Sequence, residues 1–518
     1  MREPTVFDET VSILGHLGDD TAPEVIRTLV RSVRVALVLP ADEANNRNAR
    51  VAFAMAGNLL ARECVRVDVI APQGLPVDGV PHGQPDHDLR QAVVDWMLDV
   101  NNGEFRALPA PDGHYDVCLV IGRDQDAACA ANTIWVWSNG WNLHFRSPWR
   151  AFPREQTVQN PIVAQAAGAF GAGEAIRRAF APLWPRLGPT HSFDFSLLEH
   201  SAYPKGPGPE LPDDVALGEV ALVGVGAIGS SVVLGLSVLQ GVTGDLILVD
   251  GDRATDNSVA RYSMVRMRDK EGFKVELAKD ILSHQAGLRA HPFAMTFQDY
   301  CKAHRPARDL DTLLVAVDAA SKRRAIASDL PRLILNAGTD TQDFSVSRHG
   351  FGDGQACLQC LYHETPREVQ WHERVAQDLG LSIPEVRALH ESNEGIPLEL
   401  VRRVAKGGTH LDEYVGQPLD TFYKRAVCGS DAVEIFGSQV IVPLPHVSSL
   451  AGSLLLVELL KERLGFHQAH TYFSWDLRSA KGPSAYGRKT LEAVRGCICS
   501  NPDYLEAYSI KWGLPKAV

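Results

Sequence analysis

The most constraining feature of this sequence is a short apolar run that leads into three spaced glycines. Val220–Val223 is followed by Gly224, Gly226 and Gly229, and an apolar segment of helical length comes next. This pattern predicts a β-strand, a tight turn and an α-helix, because the glycines allow the turn, a close approach of phosphate to the backbone and close helix packing. The helix N-terminus adds N–H groups and positive potential. The pattern therefore predicts a Rossmann-like domain that binds a nucleotide.

A second apolar run ends in a carboxylate. Asp245–Val249 leads into Asp250, and an acidic residue at the tip of the second strand accepts hydrogen bonds from the ribose hydroxyls of a nucleotide. The polar residues that follow are Asp252, Asn257, Arg261 and Lys274. Because this stretch shows little helical or strand periodicity, we interpret it as a loop that folds over the nucleotide.

Two cations in this stretch favour phosphate chemistry. A dehydrogenase needs no cation here, whereas Arg261 and Lys274 can hold a triphosphate and a carboxylate can hold its magnesium ion. A later apolar strand carries Asp318 at its carboxyl end, where ligands gather in a doubly wound sheet. The alternatives are solvated surface charges at Arg261 and Lys274, and a helix-capping role for Asp318.

As a set, these residues resemble one family, the ubiquitin-activating enzymes and their ThiF-like bacterial relatives. In that family the glycine turn is followed by Asp-x-Asp, an Asn, an Arg, a Gly–Lys segment and later an Asp after a strand. The corresponding positions here are Gly224, Gly226, Gly229, Asp250, Asp252, Asn257, Arg261, Gly272 with Lys274, and Asp318. Asn257 lies one position earlier than in the family pattern. The resemblance is close over Leu217–Cys360 and looser in the C-terminal part.

The resemblance implies that these residues bind ATP and magnesium, with Arg261, Lys274 and Asp318 taking part in catalysis. It implies adenylation of the C-terminal glycine of a ubiquitin-like protein, transfer to a cysteine as a thioester, and delivery to a conjugating-type enzyme. The activating enzymes of bacterial ubiquitin-like conjugation operons, which serve antiphage defence, are similar in having a degenerate N-terminal half.

Length and composition limit the architecture and the partners. A chain of 518 residues is too long for one hydrophobic core, so two or three domains are expected. A segment rich in Pro and Gly, Ser201–Asp214, predicts a boundary between domains at 1–205 and 206–518. The net charge of −12 argues against a nucleic-acid partner. Neither a membrane span nor an N-terminal signal region is visible, so we expect a cytoplasmic protein without a membrane partner.

The N-terminal part also alternates strands and helices. Apolar runs at Arg34–Pro40, Val65–Pro72 and Asp116–Gly122 predict strands, and the alternation predicts a parallel sheet. The turn after Val38 has no glycine fingerprint, so we expect this domain to bind no nucleotide. In the family it corresponds to an inactive adenylation-like half, which makes the predicted fold class α/β with two Rossmann-like, ThiF-type halves. An unrelated α/β domain is the alternative.

Residues 361–428 change in character to charged, helical segments. We interpret them as a helical insertion into the second domain, with Cys428 at its end. Neighbouring Lys424 and Arg425 can lower the pKa of this thiol and raise its thiolate fraction. Cys428 also falls where the reactive cysteine of the family does, so we predict that it accepts the acyl group. Cys301 is the next candidate, and an inert loop cysteine is the alternative.

Four of the nine cysteines form two short pairs, Cys357-x-x-Cys360 and Cys497-x-Cys499. Two such pairs can supply four thiolates to a tetrahedral structural zinc ion, and the family often carries zinc at similar positions. Reduced thiols without a metal are the alternative. The pairing suits a reducing compartment better than a disulfide framework.

Three other functions remain open. A sulfur-carrier protein adenylyltransferase would use the same site but form a persulfide instead of a thioester. An NAD-dependent Rossmann oxidoreductase would explain the glycines and Asp250, but it would leave Lys274, Asp318 and the cysteine pairs without a role. A non-catalytic scaffold related to such an enzyme would bind the partner without turnover.

Overall fold

The chain divides into two compact units in the computed structural model. The first unit consists of Met1–Ala316, Arg332–His349 and Val442–Leu491, and the second of Val317–Pro331, Gly350–Ile441 and Glu492–Val518. The structure describes residues 23–81, 88–184, 188–304, 309–340, 343–363, 366–392, 395–404, 414–423, 444–466, 470–483 and 487–514. The second unit is thus built from three segments that are separated in sequence by segments of the first unit.

Seven strands from the described N-terminal part form one sheet of the first unit. They are β1 (Val35–Val38), β2 (Arg66–Ile70), β3 (Glu104–Leu108), β4 (Val117–Ile121), β5 (Thr133–Asn139), β6 (Asn142–Arg146) and β7 (Phe193–Ser196). The order is β3-β2-β1-β4-β5-β6-β7, parallel as far as β5 and antiparallel beyond it. A parallel order of 3-2-1-4-5 is typical of a Rossmann-like sheet, as predicted.

The second sheet of this unit has the same arrangement with one additional antiparallel strand. Its described strands are β8 (Val215–Val223), β9 (Val242–Val249), β10 (Leu288–Phe293), β11 (Thr312–Val315), β12 (Leu333–Thr339), β13 (Asp343–His349), β14 (Tyr472–Asp476) and β15 (Arg488–Lys489). The order is β10-β9-β8-β11-β12-β13-β14-β15, parallel as far as β12. The predicted fold class of two Rossmann-like α/β halves is therefore confirmed. The predicted boundary at residue 205 falls between β7 and β8.

Helices flank both sheets in the first unit. In chain order they are α1 (Pro23–Ser32), α2 (Arg47–Glu63), α3 (Leu89–Val100), α4 (Pro161–Ala179), α5 (Ala227–Val238), α6 (Asp256–Arg261), α7 (Lys274–Leu282) and α8 (Phe297–His304). The helices of the second unit are α9 (Ala320–Ala327), α10 (Leu358–Leu361), α11 (Pro366–Leu379), α12 (Ile383–Ser392), α13 (Leu398–Val404) and α14 (Leu419–Phe422). Helix α15 (Pro445–Arg463) returns to the first unit, and α16 (Pro502–Trp512) ends the second. Within the described ranges, no helix combines the length and apolar character needed to cross a membrane.

Close helix contacts join the two sheets of the first unit around one core. Gln165 of α4 donates hydrogen bonds to the carbonyl oxygen of Ser231 on α5 at 2.8 Å and to Oγ of Ser453 on α15 at 3.0 Å. A Cβ at Gly452 would lie 2.4 Å from the carbonyl oxygen of Ile228. Because interiors are close-packed, small residues at these crossings let α4, α5 and α15 approach one another.

The stretch after β9 is more regular than predicted. We expected a loop, but Asn257 and Arg261 lie in α6 and Lys274 is the first residue of α7. A capping box between Thr255 and Ser258 starts α6. A helix of six residues has fewer than two turns, so it is too short to show a helical period in the sequence.

The second unit contains helices α11 to α14, all of them within the range 361–428. Helices α11 to α14 pack around a small apolar core of their own. Its buried members include Val375, Leu379, Val386, Ile396, Leu400, Val401, Leu419 and Phe422. The described part of this charged segment is therefore folded around a narrow apolar stripe, as expected for amphipathic helices.

Candidate nucleotide site and cysteine cluster

The glycine turn joins β8 to α5 at the carboxyl edge of the second sheet. Gly224 has a φ of 93°, in the region that favours glycine. A Cβ at Gly229 would lie 2.2 Å from the carbonyl oxygen of Gly224, so a side chain there would separate helix from strand. A Cβ at Gly226 would meet only the ring end of Tyr262 within the described structure, at 3.9 Å. The space beside Gly226 is therefore open to a ligand.

Asp250 ties the end of β9 to the glycine turn. Its Oδ2 accepts a hydrogen bond from the N–H of Val225 at 2.7 Å, and its Oδ1 accepts one from the N–H of Asp252 at 2.8 Å. Burial raises the pKa of Asp250, although the nearby ammonium of Lys274 favours its ionised form. The carboxylate is thus held at the strand tip, where Rossmann-like sites bind ribose.

Lys274 brings a buried cation to this carboxylate. Its Nζ donates a hydrogen bond to Oδ2 of Asp252 at 2.8 Å, and it lies 3.9 Å from Oδ1 of Asp250. Burial opposes the charged form, but the attraction of Asp250, Tyr262 and Asp252 outweighs it and the pKa of Lys274 is raised. Lys274 is therefore protonated at neutral pH and is not a solvated surface charge.

Arg261 and Tyr262 lie at the end of α6. The guanidinium carbon of Arg261 is 5.9 Å from the centre of the Tyr262 ring, and its Nε is buried without a hydrogen-bond partner in the described part of the chain. A buried N–H in that state is costly unless a ligand accepts from it. Asn257 is exposed on the first turn of α6. The sequence does not predict a place for Tyr262 in the site, because no motif marks it and its position beside Gly226 depends on the path of α6.

Asp318 belongs to the second compact unit. It is exposed and accepts a hydrogen bond from Nζ of Lys322 at 3.2 Å. Helix α9 begins at Ala320 with Ala319 in the capping position, so the capping role considered for Asp318 is not observed. A role of Asp318 in magnesium binding stays a prediction.

The residues that converge in the first unit fit a nucleoside triphosphate. The turn leaves open space at Gly226, and Asp250 presents a carboxylate at the strand tip. Lys274 supplies a buried ammonium, and Arg261 supplies a guanidinium N–H without a partner among the described residues. Asp252 is 74% exposed, and carboxylates of this kind are the ligands that Mg²⁺ prefers.

An ion pair fills the corresponding edge of the first sheet. After β1 the chain forms a short 3-10 turn, Ala41–Glu43, in place of the glycine turn. The buried carboxylate of Glu43 accepts hydrogen bonds from Nε of Arg123 and Nδ2 of Asn46, both at 2.8 Å. A Cβ at Gly122 would lie 2.9 Å from the Cγ of Glu43. Protein side chains thus occupy the volume that the second sheet leaves open.

The four paired cysteines converge in the second unit, and all are buried. The Sγ atoms of Cys357 and Cys497 are 3.6 Å apart, and those of Cys360 and Cys499 are 3.5 Å apart. All four Sγ atoms lie within 4.8 Å of one another. The N–H of Val494 donates a hydrogen bond to the Sγ of Cys360 at 3.3 Å, a contact that stabilises a thiolate.

This geometry fits a tetrahedral metal ion. A zinc ion with Zn–S bonds of about 2.3 Å requires S–S separations of about 3.8 Å, and the observed distances lie close to that value. A β-bridge between Gln355 and Glu492 holds the two cysteine-bearing segments together. The four-cysteine group can therefore bind a metal ion.

The remaining predicted cysteines are not part of this cluster. Cys428 lies outside the described residues, so its role stays a prediction. Cys301 is half-buried on α8 of the first unit.

Comparison with known proteins assigns the nucleotide site to a family. Residues 208–491 match the ThiF family, and this span contains the glycine turn, Asp250, Arg261 and Lys274. The chain belongs to the ThiF family. It therefore has the adenylation fold of that family, whose enzymes use ATP and magnesium.

One relative of this ThiF-family chain is the uncharacterized protein y4jF of Sinorhizobium fredii (strain NBRC 101917 / NGR234). The two are 33% identical over 412 residues, which is 77% of this chain and 78% of the relative. Two similar solved structures are PaaA, with 17% identity and a TM-score of 0.29, and E. coli MccB with MccA, with 14% identity and a TM-score of 0.35. The match to PaaA covers 53% of this chain and 64% of PaaA. The match to MccB covers 55% of this chain and 66% of MccB. Each match therefore spans less than two thirds of the solved chain.

Proposed function

We propose that this ThiF-family protein uses ATP to adenylate the C-terminal glycine of a ubiquitin-like protein. The observation that carries the proposal is the pairing of Asp250 with the buried cation Lys274 at the glycine turn, 3.9 Å apart. Arg261 and Lys274 both lie near the Tyr262 ring, and the Nε of Arg261 is buried without a hydrogen-bond partner among the described residues. Charge develops on phosphate oxygens during adenylyl transfer, and cations held in a desolvated site stabilise it. Hydride transfer by a nicotinamide cofactor develops no such charge, which makes an oxidoreductase the weaker candidate.

In the proposed reaction, a C-terminal carboxylate oxygen attacks the α-phosphorus of ATP. A phosphorus–oxygen bond forms between the carboxylate and AMP, and the bond between the α-phosphorus and its bridging oxygen breaks. Pyrophosphate leaves with the electron pair of that bond. Lys274 and Arg261 hold the phosphates and stabilise the developing charge, while Asp250 orients the ribose.

Magnesium, when bound, neutralises phosphate charge. Asp252 is the carboxylate of the first unit proposed to hold it, and for Asp318 a magnesium role is what the family resemblance implies. Asn257 is exposed on the first turn of α6. We assign it a contact with the nucleotide and no part in the bond-making steps.

The second proposed step is transfer of the acyl group to Cys428. Its thiolate attacks the acyl carbon, a thioester forms, and AMP leaves with the electrons of the carbon–oxygen bond. A conjugating-type enzyme would then accept the acyl group, as in bacterial ubiquitin-like conjugation operons. A persulfide on the same cysteine would indicate a sulfur-carrier adenylyltransferase instead.

We also propose that zinc occupies the cluster of Cys357, Cys360, Cys497 and Cys499. Four thiolates close a tetrahedral site without an open position for water, so the ion would be structural. The distances of 3.5 and 3.6 Å between paired Sγ atoms support this assignment.

ATP–pyrophosphate exchange tests the proposed function. Candidate ubiquitin-like proteins with a free C-terminal carboxylate should support exchange, and the same proteins with an amidated C-terminus should not, because the nucleophile is missing. Equal exchange with both forms, or tight NAD binding without any exchange, would contradict the proposal.

A further inference from the structure

The N-terminal half contributes a buried arginine to the segment that carries Arg261 and Tyr262. Arg62 lies in the last turn of α2 and is 1% exposed. Its guanidinium contacts residues that lie 197 to 203 positions later in the chain. Helix α2 and helix α6 pack against each other within the first unit.

Arg62 donates hydrogen bonds to three main-chain carbonyls of this segment. Its Nη1 donates to the carbonyl oxygen of Val259, and its Nη2 donates to those of Ser263 at 2.9 Å and Val265 at 3.2 Å. Its Nε donates to Oδ1 of Asn58 at 2.9 Å. All three guanidinium nitrogens are thereby engaged.

Asn58 completes the arrangement from the preceding turn of α2. It is fully buried, and its Nδ2 donates a second hydrogen bond to the carbonyl oxygen of Ser263, at 2.8 Å. Two side chains of the N-terminal half therefore converge on one carbonyl of the nucleotide segment.

The acceptors suit a guanidinium in particular. Val259 lies in the last turn of α6, where carbonyls lack intrahelical donors and a cation is favourable. Ser263 and Val265 follow the end of this helix. Arginine presents several N–H donors in a rigid plane, whereas lysine presents one ammonium on a flexible stem. Burial lowers the pKa of Arg62 to about 9, so the guanidinium remains charged at neutral pH.

We propose that Arg62 is a positioning residue for nucleotide binding. The carbonyls that it holds, those of Val259 and Ser263, flank Arg261 and Tyr262 in the chain. By holding both flanks, Arg62 keeps these two side chains beside the glycine turn. The N-terminal half, which has no glycine turn, thus sets the ATP affinity of the nucleotide half. This inference rests on the proposed adenylation activity.

Hydrogen exchange and ATP kinetics together test this proposal. In Arg62→Ala, the amides of residues 256–265 should exchange at least about tenfold faster, because three carbonyls lose their donor. The KM for ATP in pyrophosphate exchange should rise at least about tenfold, with a smaller change in kcat. If Arg62→Ala does not purify as a folded protein, Arg62→Lys and Asn58→Ala replace it, each with a smaller expected effect.

Arg50→Ala is the matched control. Arg50 lies on the same helix and is buried, but its described contacts are Asp78 at 2.6 Å and the carbonyl oxygen of Ala44 at 2.7 Å, both in the N-terminal half. Arg50→Ala should lower the melting temperature. The hydrogen-exchange rates of the amides of residues 256–265 and the KM for ATP should stay unchanged.

The outcomes separate this proposal from the proposed function. Equal protection of residues 256–265 in the Arg62 and Arg50 variants, or faster exchange with an unchanged KM for ATP, overturns the role of Arg62. If the wild-type protein shows no ATP turnover at all, adenylation fails as the proposed function. The exchange rates of residues 256–265 then still decide whether Arg62 positions this segment.

Discussion

The ammonium group of Lys274 lies 3.9 Å from the carboxylate of Asp250, and both groups are largely buried. Asp250 follows the last residue of β9, whereas Lys274 begins α7. The intervening chain forms α6 and then returns to the strand tip. A carboxylate suited to ribose and a cation suited to phosphate are thus brought together by the fold of this segment.

Replacing Lys274 by alanine should nearly abolish adenylation. A cation that stabilises charge in the transition state contributes about 3 kcal/mol, so we expect the rate of ATP–pyrophosphate exchange to fall roughly a hundredfold. The matched control is Lys279→Ala, because Lys279 is exposed on the same helix. Near-wild-type exchange in Lys274→Ala would remove this residue from the site.

The cysteine cluster should contain zinc in purified protein. Elemental analysis should find about one zinc ion per chain, and Cys360→Ser should lose most of it together with thermal stability, since metal binding contributes to folding. Cys301→Ser, which alters a half-buried cysteine of the first unit, should keep the ion. Less than about half an equivalent in protein prepared without a chelator would count against the site.

Cys428→Ala should separate the two proposed steps. Adenylation precedes transfer, so pyrophosphate exchange should persist while the reductant-sensitive adduct with the ubiquitin-like protein disappears. Non-reducing gel electrophoresis of the reaction detects the adduct, and Cys301→Ala serves as the control. An adduct that survives in Cys428→Ala would assign the role to another cysteine, with Cys301 the next candidate.

A row of neighbouring titratable side chains in the first unit predicts how the free energy of unfolding depends on pH. Nδ1 of His200 lies 2.8 Å from Nε2 of His470, and Nε2 of His200 lies 3.1 Å from Oε1 of Glu458, which also binds Lys461. Burial, followed by repulsion from Lys461, lowers the pKa of His200 to about 4. Burial opposes ionisation of Glu458, but Lys461 and His200 outweigh it and lower its pKa to about 2.

The sign of the effect follows from these two shifts. The unfolded chain takes up a proton on His200 near pH 6.5, whereas the folded chain does so only near pH 4. The stability that neutral His200 contributes is therefore fully present above pH 6.5 and is lost as the pH falls towards 4. Glu458 adds a further loss below about pH 4.5. For His200 the loss should reach about 3 kcal/mol.

Urea denaturation between pH 7.5 and about 4 measures this dependence. His200→Asn removes the ionisable group, and Asn tolerates the positive φ of 50° at this position. The variant should show a flatter profile between pH 6.5 and 4. A profile as steep as that of the wild type would assign the dependence to other groups.

Much of the nucleotide half could be predicted from local sequence. Gly224, Gly226 and Gly229 are required by backbone geometry, and apolar runs of four to eight residues identify buried parallel strands. The cysteine spacing likewise predicted a cluster, and the four thiols do converge. These features depend on residues near one another in the chain or on side-chain types with few alternative roles.

The same local signals were weaker where an element was short. For the residues of α6 the sequence predicts a loop, because six residues show no clear period. Tyr262 carries no motif, and its place beside Gly226 follows from where α6 ends. The sequence also does not predict that Lys274 is buried, because a lysine in a polar stretch is typical of a solvent-exposed surface.

By itself, the sequence determined the strand–turn–helix unit, the order of its polar residues and the cysteine pairs, because steric and periodic requirements act over a few residues. Only the tertiary structure decided which charges are desolvated and what holds them. The hydrogen bonds from Arg62 to Val259 and Ser263, and the pairing of Glu43 with Arg123 at the other edge, join residues far apart in the chain. Such contacts depend on how whole helices and sheets pack, and no local period encodes that packing.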